Sequence, residues 1–167
     1  MAISFSADET FEMAEEIERS GEAFYRKAAG LGSAKRAKAK LLELAAMEAE
    51  HGRTFAAMRG RFAAGKAAAS LADLDEQVAK YLRAFVERRV FDPKSDPASR
   101  LTGAEKLVDI FRIAIGLERD SIVFYVGVKA MVPPELGRDQ IEDIIREEMS
   151  HVATLSAEMA LAGMGRA

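Results

Sequence analysis

The chain contains two histidines, and each follows a glutamate by three residues: Glu48 and His51 in "LLELAAMEAEHGRTF", Glu148 and His151 in "IEDIIREEMSHVATL". Both segments carry apolar residues every three to four positions, which predicts amphipathic helices. Leu41, Leu44, Glu48, His51, Phe55 and Phe62 fall on one stripe of the first, and Ile141, Ile144, Glu148, His151, Leu155 and Met159 on one stripe of the second. Residues three apart share a helix face, so the carboxylate and the imidazole of each pair can reach one point. An ordinary Glu–His ion pair contributes only a few tenths of a kcal/mol and belongs on the polar face. These pairs lie on the apolar face instead. A carboxylate and an imidazole buried together suit the ligation of a divalent cation.

Two further glutamates complete the pattern. Residues 11–60 and 111–160 echo one another at a spacing of 100, with Phe11, Ala14, Glu18, Arg19, Phe24 and Tyr25 matching Phe111, Ala114, Glu118, Arg119, Phe124 and Tyr125. Glu48, His51, Thr54 and Ala57 match Glu148, His151, Thr154 and Ala157 in the same way. Glu18 and Glu118 each interrupt an apolar stripe at mid-length, so four helices each bring one glutamate to the core and two also bring a histidine. Four buried carboxylates without counter-charge are not tolerable, since each isolated ion costs several kcal/mol even after relaxation. Two divalent cations balance them, and two neutral imidazoles complete the shell. One Glu from each of two helices plus Glu-x-x-His from each of the other two is the pattern of di-iron and di-manganese carboxylate bundles. Tyr25 and Tyr125 follow Glu18 and Glu118 by seven, two turns along the same face. Each is placed either to pack in the core or to donate its hydroxyl to a ligand carboxylate.

The elements that must position these groups are nearly all helical, because Ala, Leu, Glu, Lys and Arg dominate and prolines are few. The spacing predicts helices over about 6–30, 33–64, 102–131 and 135–162, with a shorter one over about 74–90. Capping boxes open the first and third long helices, at Ser6-Ala-Asp-Glu9 and Thr102-Gly-Ala-Glu105. Short links pair the long helices as hairpins. The connection between the hairpins is long enough to cross a bundle of about 40 Å, at 1.5 Å per helical residue. The expectation is an all-α four-helix bundle, one domain over residues 1–167, with one long crossover containing a short helix.

Composition narrows the rest. A net charge of −3 and a single basic run, "SAKRAKAK", interleaved with alanine, predict no nucleic-acid partner. The chain has no cysteine, which excludes disulfides, iron–sulfur clusters and thiol nucleophiles within it. The N-terminal stretch is acidic without a long apolar run, and no segment approaches the roughly 18 apolar residues of a membrane span. The expectation is a cytoplasmic protein without a membrane partner.

At "EIERSGEAFYRKAA" and "GLERDSIVFYVGV", each followed about thirty residues later by Glu-x-x-His, the chain resembles the ferritin-like superfamily, and within it the di-iron domain of rubrerythrins. The resemblance implies a ferritin-like bundle holding two iron ions, with manganese an acceptable occupant and zinc a substitute. It implies that Glu18, Glu48 and His51 serve one half of the centre, that Glu118, Glu148 and His151 serve the other, and that Glu48 and Glu148 bridge. Glu147, beside the last motif, is a candidate to orient an imidazole; its counterpart is Met47. The activity implied is that of an oxidoreductase reducing hydrogen peroxide or activating dioxygen, in a homodimer.

Two departures from rubrerythrins stand out. The extra glutamate three residues from the third-helix ligand is absent, since Ile115 and Ser121 flank Glu118. The cysteine-ligated rubredoxin module is absent too, so electrons must come from an external donor protein. Two other readings fit the same residues: a ferritin-like ferroxidase for iron storage or delivery, and a non-catalytic bundle stabilised by its metals.

Overall fold

A computed structural model describes residues 7–64, 76–87 and 96–164. Helix α1 spans Ala7–Ala29, α2 Lys38–Ala64, α3 Glu76–Glu87, α4 Leu107–Met131 and α5 Arg138–Gly163. Three short 3-10 turns, at Gly32–Ala34, Pro97–Arg100 and Pro134–Leu136, link them, and the described residues contain no strand. Helices α1 and α2 pack as one hairpin, α4 and α5 as the other, and α3 lies against α4. This is the all-α bundle expected from the apolar spacing.

The link after α4 is made by residues that cannot prolong a helix. After α4, Pro133 and Pro134 remove backbone donors, and Gly137 takes the left-handed conformation at φ +111° before α5 starts. A side chain at Gly137 would also crowd Gln140 Oε1, whose contact with Arg61 Nη2 (2.5 Å) ties α2 to α5. Between α1 and α2 the backbone bonds run i to i−3, from Ala34 to Leu31 and from Ala37 to Ala34. Helix α2 therefore begins at Lys38 rather than at Ser33.

The start of α4 also differs from expectation. Thr102 and Glu105 do form a box: the amides of Thr102 and Gly103 donate to the Glu105 carboxylate at 2.7 and 2.9 Å, and Thr102 Oγ1 accepts from Ala104 N at 3.4 Å. Gly103, however, sits at φ +96°, which no helical residue adopts. The box closes a separate turn, and α4 starts five residues after Thr102, at Leu107. Ser6, half of the first expected box, and residues 74–75 and 88–90 of the expected short helix lie outside the described residues.

The core falls into two apolar clusters. One gathers Phe11, Ala14, Phe55, Met58, Tyr125 and Ile144; the other gathers Phe111, Ala114, Leu155, Leu44 and Tyr25. Each of Phe11, Ala14, Phe55 and Tyr125 thus lies in the opposite cluster from the residue one hundred positions away. The two hairpins are related by an inverted repeat, and equivalent residues stand at opposite ends of the bundle. Burying a Phe or Leu side chain contributes roughly 1.5–3 kcal/mol, and both clusters contain several such residues. That stability holds the polar layer between them.

Candidate metal centre

Between the clusters, at mid-length, the bundle buries Glu18 from α1, Glu48 and His51 from α2, Glu118 from α4, and Glu148 and His151 from α5, none more than 3% exposed. All six residues singled out by spacing are brought to one place. Their ligand atoms form two groups, each within 4.8 Å: Glu18, Glu48, His51 and Glu148, and Glu48, Glu118, Glu148 and His151. Glu48 and Glu148 belong to both. Both imidazoles turn Nδ1 inward. His51 Nδ1 lies 2.9 Å from Glu148 Oε1 and 3.6 Å from Glu18 Oε2. His151 Nδ1 lies 2.9 Å from Glu148 Oε2 and 3.5 Å from both Glu48 and Glu118. The rings stack 5.9 Å apart, 22° from parallel.

The surrounding shell crosses the bundle. Tyr25 donates its hydroxyl to Glu118, and Tyr125 donates to Glu18. Each tyrosine serves the glutamate of the opposite hairpin, not the one seven residues before it. The inverted repeat is the reason, because it lays α1 and α4 antiparallel and brings residue 25 beside residue 118. Glu147 Oε2 sits 2.8 Å from Nε2 of His51, again on the opposite hairpin. Nothing equivalent is found at His151, whose buried Nε2 has no hydrogen-bond partner among the described residues.

The electrostatics show what the layer lacks. Burial pushes Glu48 well above its ordinary value of 4.5, and the carboxylates of Glu148, Glu18 and Glu118 push it the same way. Burial likewise carries Glu118 up to about 8. Burial disfavours charge on His51, but Glu148 and Glu18 outweigh it and lift the imidazole to about 11; His151 reaches about 9 against burial through Glu118 and Glu148. Glu148, with an imidazole nitrogen 2.9 Å from each of its oxygens, is held below its ordinary range despite its burial. Without another cation, protons are the only countercharge here. Glu18 Oε2, Glu48 Oε1, His51 Nδ1 and Glu148 Oε1 are buried without a hydrogen-bond partner among the described residues. Buried orphan acceptors that converge, oxygen and imidazole nitrogen mixed, fit a divalent cation of the iron, manganese or zinc type.

A small cleft reaches this layer from the surface between α1 and α4. It is lined by Tyr25, Glu48 and Glu118, together with Ile17, Leu117 and Pro97. Pro97 comes from the crossover, whose turn is held to α1 by Lys27 Nζ donating to Ala98 O at 2.8 Å. Spacing could not have identified Pro97 as a wall, because its position depends on the route of a connection between hairpins. Gly21 and Ser121, matched in the repeat, line the same cleft.

No protein-family model matches this chain, and no curated protein matches it. Among solved structures it is similar to a ferritin-like diiron-carboxylate protein from Thermotoga maritima, with a TM-score of 0.64 over 93% of this chain and 95% of that one, at 23% identity. The fold is ferritin-like. In a ferritin-like bundle the polar layer is where the four long helices face one another, and here that layer holds the two groups of candidate ligands. Helix α3 and the described end of the crossover lie outside those groups.

Proposed function

We propose that the protein is a non-haem di-iron redox protein, rubrerythrin-like in its centre, that reduces hydrogen peroxide or activates dioxygen with electrons from an external donor protein. The observation that carries this reading is the pair of four-residue groups sharing Glu48 and Glu148, with a cleft of small-molecule size beside them. Glu18 and His51 would hold one metal, Glu118 and His151 the other, and Glu48 and Glu148 would bridge. Two bound iron ions supply two electrons together, which is what cleaving an O–O bond requires. Four carboxylates match the charge of two divalent ions, and the similar Thermotoga maritima protein is described as a diiron-carboxylate protein.

The chain's own residues supply the setting. Tyr25 and Tyr125 hold Glu118 and Glu18 in place by hydrogen bonds, and their hydroxyls, pushed well above 10.0 by burial and by nearby carboxylates, stay protonated at neutral pH. Tyr25 also borders the cleft, so an incoming small molecule would meet the same residue that holds Glu118. The two apolar clusters exclude bulk water from both ends of the layer. With no cysteine in the chain, no thiol or iron–sulfur centre of its own can deliver electrons.

The test is metal content of the natively purified protein, followed by peroxide consumption after anaerobic iron loading with a reductant present. Two irons per chain that peroxide oxidises and the reductant restores are expected. Iron-loaded protein that leaves peroxide untouched over many equivalents of reductant would refute the enzyme reading. Two irons without turnover would then favour iron handling.

A further inference from the structure

The two halves of the centre match in almost every respect. They share Glu48 and Glu148, each has one terminal glutamate and one imidazole, and each terminal glutamate accepts one tyrosine hydroxyl. Two differences break the match. The first lies behind the imidazoles. Glu147 accepts from Nε2 of His51 at 2.8 Å, which fixes the ring's orientation and leaves the Nδ1 lone pair facing Glu18 and Glu148. A carboxylate behind an imidazole also raises its basicity as a ligand. The corresponding position is Met47, which carries no charge, and His151 Nε2 is buried with no hydrogen-bond partner among the described residues. The second difference is access. Among the described residues the cleft touches Glu118 and Tyr25, which belong to the His151 half, and the shared Glu48; Glu18, His51 and His151 do not line it.

We infer that the two metal positions are unequal by construction: the Glu18–His51 position, backed by Glu147, binds its metal tightly, whereas the Glu118–His151 position binds more weakly and takes the exogenous small molecule from the cleft. This rests on reading the polar layer as a two-metal centre. The cleft sets the size class of that molecule. It offers about 10 Å³ for the centre of a water-sized molecule, about one such molecule's worth. A Cβ at Gly21 would stand 2.5 Å from Glu48 Oε2, so even one added methyl group would crowd a candidate ligand. The ligand class is therefore species of two or three non-hydrogen atoms, such as dioxygen, hydrogen peroxide or azide, and not an organic hydroperoxide.

The experiment is an anaerobic cobalt(II) titration of the metal-free full chain, read by calorimetry and visible absorption, with azide added at one and at two equivalents. The wild type should bind two cobalt ions in resolved steps. Glu147→Gln should weaken the tighter step by about 10–100-fold, the usual effect of removing an outer carboxylate from a ligand histidine, and should leave the weaker step in place. The Glu147 side chain is 51% exposed, so metal-free Glu147→Gln should melt as the wild type does. Azide should change the spectrum only after the second equivalent, and Ser121→Val, which narrows the cleft, should weaken azide at least tenfold while both metal steps persist. Two indistinguishable steps in the wild type, a Glu147→Gln effect confined to the weaker step, or azide binding to the one-cobalt form would overturn the inference. Failure of the wild type to bind cobalt at all would instead overturn the two-metal reading beneath it.

Discussion

Glu118→Gln separates a metal-binding carboxylate from a structural one, because the two roles predict opposite signs. Glu118 is 2% exposed, and burial lifts its carboxyl from 4.5 to about 8. In the unfolded chain the proton leaves near pH 4.5, while the metal-free folded protein keeps it until about pH 8. A group that binds its proton more tightly when folded loses stability for the fold as pH rises between those values, at about 1.4 kcal/mol per pH unit. At pH 7 the loss is about 3 kcal/mol. Glutamine has the same shape, carries no titratable proton and can still accept from the Tyr25 hydroxyl, at a cost of about 1 kcal/mol for a weaker hydrogen bond. The net expectation is a metal-free variant more stable than the wild type by about 2 kcal/mol at pH 7. For a chain of this size that is roughly 4–8 °C in melting temperature.

Thermal unfolding followed by circular dichroism in the presence of a chelator measures this directly. At pH 5 the gain should vanish, because the linkage accumulated above the unfolded value of 4.5 is only about 0.8 kcal/mol there and the weaker hydrogen bond offsets it. With divalent metal in excess the order should reverse, since the variant lacks one ligand and part of the metal-linked stabilisation, about 2.7 kcal/mol per site at a hundredfold excess over Kd. A metal-free Glu118→Gln protein less stable than the wild type at pH 7, or a gain that does not depend on pH, would refute this account of the layer.

Three other substitutions probe the shell and the frame. Gly21→Ala would bring a Cβ to 2.5 Å from Glu48 Oε2; metal affinity measured by calorimetry should fall about tenfold or more, although alanine is the better helix former by about 1 kcal/mol. Tyr125→Phe removes the hydroxyl donated to Glu18; denaturant unfolding of the metal-loaded protein should show a loss of about 1.5–3 kcal/mol, the scale of a hydrogen bond to a charged group. At Gly127 a Cβ would meet Tyr81 Cε1 at 2.6 Å and Leu82 Cδ2 at 2.8 Å. Gly127→Ala should therefore cost about 1–3 kcal/mol by overpacking α3 against α4, with metal stoichiometry unchanged because α3 contributes none of the candidate ligands; limited proteolysis of α3 together with metal analysis checks both halves.

The sequence alone determines the candidate ligands and the class of fold. Charged and polar residues on an otherwise apolar helical stripe are rare enough to be read without coordinates, and Glu18, Glu48, His51, Glu118, Glu148 and His151 all stand out in that way. The hundred-residue echo adds that the stripes come in two matched hairpins, and the apolar spacing with its short links makes the whole an all-α bundle. Local turns are less legible: Thr102 and Glu105 carry a capping signature, yet Gly103 adopts φ +96° and the helix waits until Leu107.

What only the tertiary structure decides is which groups meet across the bundle. A periodic sequence states the face on which a residue lies, but not the direction in which the facing helix runs. Because the repeat is inverted, Tyr25 reaches Glu118, Tyr125 reaches Glu18, and Glu147 backs His51 rather than its neighbour His151; the route of the crossover sets Pro97 against the cleft beside Glu118. The inequality of the two halves comes from these long-range contacts. They are set by how the apolar clusters at the two ends of the bundle pack, since those clusters fix the register of one hairpin against the other.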